Sequence, residues 1–222
     1  MRVYQAVFGF VVVGTVVPVL LHRHVHGSLS LTQALLAFFL WLNTLIALWE
    51  ICLFKEIEHI RAQYESFIKP YRGLELDRVF DFFGKKITVG EALRPRTWGE
   101  VWSSYALFDE SYANSKSYGF FIDVGNGFST LIPSVLFLYG MTYELMPARI
   151  LGIVGLILNY QMWYGTIVYF VSFLYHRRYR GHSLKNVALF VGLSNGIWFT
   201  FPLLAMWASV ELILTNSYAV FR

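Results

Sequence analysis

An all-α integral membrane protein is the fold class this sequence predicts: a five-transmembrane-helix bundle with an amphipathic, irregular insert between helices 2 and 3. Three observations predict it. Of 222 residues, 56% are hydrophobic and 14% charged, against about 45–50% and about 25% in a soluble domain. The mean hydropathy is +0.51 and aromatic residues make up 18% of the chain, more apolar surface than one water-surrounded core hides, so lipid must cover part of it. Five stretches also reach the length of about 20 apolar residues that a hydrocarbon core of about 30 Å demands: residues 4–21, 31–54, 118–141, 148–175 and 185–215. The same composition excludes disordered, collagen-like and nucleic-acid-binding classes, so no nucleic acid is expected as a partner. Residues 1–222 are read as one membrane domain.

Taken in order, the first span runs through Phe8 to Leu21 without an Ala-x-Ala cleavage signal and reaches Arg23 among histidines, which reads as a retained helix. Backbone groups in hydrocarbon must bond within their own segment, so every span is a helix, and neighbouring helices absorb the kinks at Pro18, Pro133 and Pro202. A barrel would need ten-residue alternating segments, and the sequence has none. Between the second and third spans, residues 55–116 begin with Ile57, Ile60, Tyr64, Ile68 and Tyr71 at helical spacing, opposite Glu56, Glu58, Arg61 and Glu65. Two readings fit: a helix lying along the membrane interface, or a solvated helix packed on the protein. Pro70, Gly73, Gly84, Gly90 and Pro95 then mark irregular chain, and Trp98, Trp102, Tyr105 and Phe108 suit an interfacial aromatic belt.

Five spans place the termini on opposite sides. The N-terminus shares its side with residues 55–116 and 176–185, which hold nearly all the Lys and Arg; the other side has Arg23, Arg149 and Arg222. The positive-inside rule puts the basic side in the cytoplasm, with the endoplasmic reticulum expected in a eukaryote and the cytoplasmic membrane in a bacterium. The formal net charge of +4 suits anionic head groups. Cys52 is the sole cysteine, so neither an internal disulfide nor a Cys-based zinc site is expected. His22, His24 and His26 alternate in what reads as a short loop, and solvated head-group contacts outweigh a metal there. No metal and no cofactor are expected.

Intramembrane carboxylates and amides are costly and are functional candidates by default. Glu50 shares a face of the second span with Asn43 and Ala47. Asp123, Asn126 and Thr130 form one stripe of the third, Asn159, Gln161 and Tyr164 interrupt the fourth, and Asn195 and Trp198 sit one turn apart on the fifth. At 1.5 Å per residue, Glu50 and Asp123 lie within roughly 10 Å of the cytoplasmic edge, and one polar chamber would satisfy all but Glu211, which belongs to the opposite edge. Amides and hydroxyls often only bond helices together; two acids are harder to explain by packing. A carboxyl in an apolar site holds a proton near neutral pH and donates it, a second carboxylate accepts one, and faces such as those of Trp49, Trp163 and Trp198 attract a developing cation. That set suits protonation of an isolated double bond in a lipid-soluble hydrocarbon. Glycines 125 and 127 read as close helix packing, and Arg177, Arg178 and Arg180 as charges that set topology.

Several stretches resemble one family. Trp102-Ser-Ser-Tyr105 followed by Asp109 and Tyr112, Tyr160-Gln161-Met-Trp-Tyr164-Gly165 continuing to Tyr169-Phe170, and Asn195-Gly-Ile-Trp198 with Pro202 are similar, in order and spacing, to the emopamil-binding-protein group of the EXPERA superfamily, which includes sterol Δ8–Δ7 isomerases. The likeness covers roughly residues 102–202 plus the second span. It implies a five-helix bundle with a cavity open to lipid, Glu50 and Asp123 as catalytic acids managing protons, and Asn195 and Trp198 steadying a carbocation. Asn126, Thr130, Gln161, Tyr164 and Trp49 are the further substrate-binding candidates. Ile46 stands where those isomerases carry a His, and residues 55–116 are longer than their counterpart. The expected function is a membrane-embedded isomerase or cyclase acting on a sterol or terpenoid, with a non-enzymatic sterol- or lipid-binding or trafficking protein as the alternative. Small membrane terpene cyclases also use two buried acids, a spacing that Glu50 with Glu211 would imitate. Expected partners are that hydrophobic small molecule and membrane lipids, with a homodimer left open.

Overall fold

The computed structural model describes all 222 residues, the side chain of Phe190 excepted. Ten α-helices follow one another: α1 (Val3–His26), α2 (Leu31–Lys55), α3 (Ile57–Phe67), α4 (Glu75–Gly84), α5 (Val89–Ala92), α6 (Pro95–Tyr105), α7 (Tyr118–Tyr143), α8 (Ala148–Tyr175), α9 (Leu184–Asn186) and α10 (Ser194–Thr215). A π-helical stretch, Val187–Leu193, joins α9 to α10, and 3-10 turns occupy Glu110–Ala113 and Ala219–Phe221. No β-strand occurs among the described residues. Five helices, counting Leu184–Thr215 as one, are long and apolar enough to cross a membrane. Pro18, Pro133 and Pro202 all lie inside helices that continue past them.

The helix ends follow local chemistry. Gly27, at φ 74°, closes α1 in the left-handed conformation that a side chain resists, and its amide reaches back to the Arg23 carbonyl at 2.8 Å. The helix thus extends through His22, His24 and His26, which are not in a loop. Helix α5 opens on a capping box: Thr88 Oγ1 accepts from the Glu91 amide at 3.2 Å, and Glu91 returns a carboxylate to the Thr88 amide at 2.7 Å.

The chain divides into two compact units. The first comprises Met1–Phe8, Ala47–Phe128 and Val168–Gly196. Here α3 and α4 both pack on α6, and the Glu110–Ala113 turn packs on α3 and α6. Ile60 of α3 is fully buried, so the apolar face of that helix meets protein, the second of its two readings. Trp102 and Phe108 are also buried, and Trp98 stacks on Trp49 with centroids 5.6 Å apart; these rings are core, not an exposed belt, because α6, which carries Trp98 and Trp102, packs against α3, α4 and Trp49 of α2. The first residues of the chain pair with residues 85–87: the Val3 amide donates to the Lys85 carbonyl at 3.0 Å and the Ile87 amide to Met1 at 2.8 Å. Val3, Phe82 and Ile87 form a small core there, flanked by Ala6, Val7, Ala92 and Trp98.

The second unit comprises Gly9–Ile46, Ser129–Ile167 and Ile197–Arg222. Its core includes Leu36, Phe39, Leu40, Phe137, Leu138, Met141, Leu151, Leu212 and Phe221. His22, only 1% exposed, donates from Nε2 to the Phe221 carbonyl at 2.7 Å and accepts at Nδ1 from Thr142 at 3.3 Å. The buried imidazole therefore fastens the C-terminal turn to the end of α1.

Candidate functional site

In the first unit, the α2 segment from Ala47 onward meets α7 at Gly127. A Cβ there would lie 2.7 Å from the Glu50 Cβ and 2.9 Å from the Ala47 carbonyl, so only glycine permits this approach. Gly125 has open space around it; of the two glycines read as packing residues, one is. The close crossing brings the α7 polar stripe onto Glu50. The Asn126 amide donates to both carboxyl oxygens, at 3.0 and 2.9 Å, and Glu50 is 3% exposed. Asp123, one turn earlier on α7, lies within electrostatic reach of Glu50 and has the Tyr112 hydroxyl as its side-chain hydrogen-bond partner. None of the ion pairs among the described residues involves Glu50 or Asp123. Burying a carboxylate without a cation is expensive, and one amide cannot replace the lost solvation.

An aromatic cluster adjoins Asp123 through its bond to Tyr112. Tyr112, in the Glu110–Ala113 turn, is 2% exposed and packs on Tyr105 at 4.9 Å and Trp102 at 5.2 Å between centroids. The Tyr105 hydroxyl lies 3.1 Å from that of Tyr169 and accepts from the Asn195 amide at 3.2 Å. Burial pushes the phenols of Tyr105 and Tyr112 well above the ordinary tyrosine range, so both stay neutral hydroxyls. Trp49, 8% exposed, leaves its indole N–H without a hydrogen-bond partner among the described residues, while its carbonyl accepts from Trp102 Nε1 at 2.7 Å. Asp109, whose side chain is fully buried, pairs with Arg178 at 3.0 Å and accepts from the Ser111 amide at 3.1 Å. Arg178 is therefore more than a topology-setting charge: it ties the loop after α8 to the turn that carries Tyr112.

The second unit uses its polar groups differently. Asn43 donates to Thr130 at 3.2 Å and Ser134 at 3.1 Å, and accepts from Trp198 Nε1 at 2.8 Å. Asn159 is fully buried and donates to the Gly155 carbonyl at 2.8 Å. Gln161 lies at the surface bonded to Ser129, and Tyr164 is 52% exposed, stacked on Tyr160. That face of α8 looks outward, so Gln161 and Tyr164 join no enclosed chamber; the interruption of the hydrophobic run marked an outer face.

Of the residues proposed from sequence, Glu50, Asp123 and Asn126 thus come together, Asn195 joins the tyrosines beside them, and Trp49 packs nearby in the same unit. Thr130 and Trp198 gather on Asn43 in the other unit, where Glu211 also falls. Tyr105, Tyr112 and Tyr169 were missed as site residues. The belt reading hid the Tyr105 hydroxyl, while Tyr112 and Tyr169 stood in the stretches that carry the resemblance and were given no role there. A scan of known protein families finds no model that matches this chain, and a search of characterised proteins finds no significant similarity.

Proposed function

We propose that this chain is a membrane enzyme that isomerises or cyclises a lipid-soluble sterol or terpenoid by acid–base chemistry, with Glu50 and Asp123 as its proton-handling pair. One observation carries the reading: a buried carboxyl, bonded by Asn126 through both oxygens, next to a second carboxyl and with no cation on either. In that setting one acid, in its protonated form, gives its proton to an alkene carbon. The π pair forms the new C–H bond and leaves a carbocation on the neighbouring carbon. In an isomerisation the partner carboxylate then removes a proton from the adjacent carbon, and that C–H pair becomes the shifted double bond. In a cyclisation a second alkene attacks the cation before the proton is lost. Electron-rich faces of Trp49, Tyr105 and Tyr112 suit such a cation, and the resemblance adds Asn195 to that role, while Trp198, bonded to Asn43 in the other unit, takes no part in it. The proposed setting is a cytoplasm-facing site in the endoplasmic reticulum or a bacterial cytoplasmic membrane.

Ile46, in place of the histidine that the similar isomerases carry, favours a second reading: a holder of sterol or other lipid that performs no chemistry. Mass spectrometry of the co-purifying lipid, followed by incubation of proteoliposomes with candidate olefins in deuterium oxide, separates the two. The enzyme reading requires deuterium at a carbon that does not exchange on its own. An unaltered lipid with no carbon-bound deuterium would establish the holder.

A further inference from the structure

The insert of the first unit leaves one apolar turn uncovered. Val89 and Leu93, at the two ends of α5, are 71% and 80% exposed. Between them Ala92 faces inward, onto the small core of Val3, Phe82 and Ile87. The position of this turn is fixed by backbone: residues 85–87 bond to Met1 and Val3, the first residues of a membrane-length helix. It is fixed again by Trp98, whose Nε1 donates to the Ala92 carbonyl at 2.9 Å and whose ring stacks on Trp49. Trp49 lies six residues before the end of α2, about 9 Å down that helix at 1.5 Å per residue. Helix α5 therefore sits beside the first turns of α1, where Ala92 shares a core with Val3, Ala6 and Val7, and reaches α2 through the Trp98–Trp49 stack. Tyr4 and Phe8, on the same stretch of α1, are also exposed.

Charge completes the pattern. Lys86 and Arg94 flank the turn, both exposed, and neither takes part in an ion pair among the described residues; the one acid of the turn, Glu91, is turned back onto the Thr88 amide and hydroxyl. Phe80, also exposed, is flanked on α4 by Asp77 and Asp81 instead. We infer that α5 is a membrane-embedded wedge: Val89 and Leu93 enter the boundary between head groups and acyl chains, and Lys86 and Arg94 bind the phosphates of an anionic phospholipid leaflet. The argument is independent of the chemistry proposed for Glu50 and Asp123. Two apolar side chains at the boundary hold the insert against the bilayer, and the cations select the leaflet composition.

Spin labels on single cysteines test this with the full-length protein in vesicles. Cys52 is buried, so wild-type protein takes little label and serves as the blank. Val89→Cys and Leu93→Cys place labels on the wedge, and Glu58→Cys places one on the exposed side of α3. In vesicles of phosphatidylglycerol and phosphatidylcholine, labels at 89 and 93 should collide more with oxygen than with a water-soluble nickel chelate. The label at 58 should do the reverse. Chelate-dominated collisions at both 89 and 93 would overturn the wedge. Lys86→Gln/Arg94→Gln in the Leu93→Cys background should make the label shallower in anionic vesicles only; an unchanged depth would overturn the phosphate contacts.

Discussion

The two units bury polar groups of opposite character. In the second, Asn43 is an amide whose donors and acceptor are met by Thr130, Ser134 and Trp198, all neutral partners. In the first, Glu50 has Asn126 on both oxygens and a second acid nearby, and no cation. The contrast separates adhesive use of polarity in a membrane-length helix from the chemical use proposed for Glu50. Neutral groups that bond one another hold helices together at little cost, whereas an acid pair is retained against the cost of burial. Asn43 and Glu50 lie two turns apart on α2, so on the proposed reading one helix serves both purposes.

The sharpest way to break this comparison is kinetic. Glu50→Gln keeps the shape and one of the two oxygens that accept from Asn126 but cannot exchange a proton, and turnover should fall by about 10²–10⁴-fold, the usual worth of a positioned acid or base. Asp123→Asn should fall within the same range, and both proteins should remain folded by circular dichroism. Full activity in both variants would end the acid–base reading. Asn43→Leu is the matching test of the adhesive cluster. Stranding Thr130, Ser134 and the Trp198 indole should cost about 1–3 kcal/mol of stability, read by thermal unfolding in detergent, with turnover of the surviving protein unchanged. The glycines sharpen the contact itself. Gly127→Ala should destabilise by about 1–3 kcal/mol through overpacking and lower activity, while Gly125→Ala, with free space around it, should be neutral or slightly stabilising.

The smallest effect concerns pH. Burial raises the phenols of Tyr105 and Tyr112 in the folded protein, so their contribution is fully present below the unfolded tyrosine value of about 10 and is lost as pH rises beyond it. The unfolding temperature should drop on the alkaline side of that value. A Tyr105→Phe/Tyr112→Phe double variant should show a shallower drop, even if it starts lower.

Much of the architecture is legible in the sequence because an apolar run long enough to cross a hydrocarbon core has a characteristic length, and five such helices are present. Residues 31–54 and 118–141 lie within one or two residues of the ends of α2 and α7, and 148–175 coincides with α8. The first span was read short, since His22 looked like solvated loop until a C-terminal carbonyl and a threonine were found to satisfy its ring. The acid site was legible from helical phase and depth: Asp123 and Asn126, spaced i and i+3, share one side of α7, and Glu50 was placed at a similar depth on the second span. What no local pattern carries is the folding of residues 55–116. The burial of Tyr112 and the Asp109–Arg178 pair join parts of the chain 69 residues apart, and a lone arginine in a basic loop gives no sign of its partner. Tyr164 misled for the opposite reason: it shares a polar run with Asn159 but is turned to the other side of α8.

The π-helical stretch before α10 has a consequence for evolution as well as for shape. A π turn accommodates one residue more than an α turn, and each residue added to or removed from a helix rotates everything downstream by about 100°. Val187–Leu193 thus acts as an indexing ring for the last helix, setting the azimuth at which Asn195 reaches Tyr105. Deleting a single residue there would leave the hydrophobic length almost untouched and swing that amide off its hydroxyl, so an indel in this segment would retune the aromatic cluster without disturbing any residue that forms it.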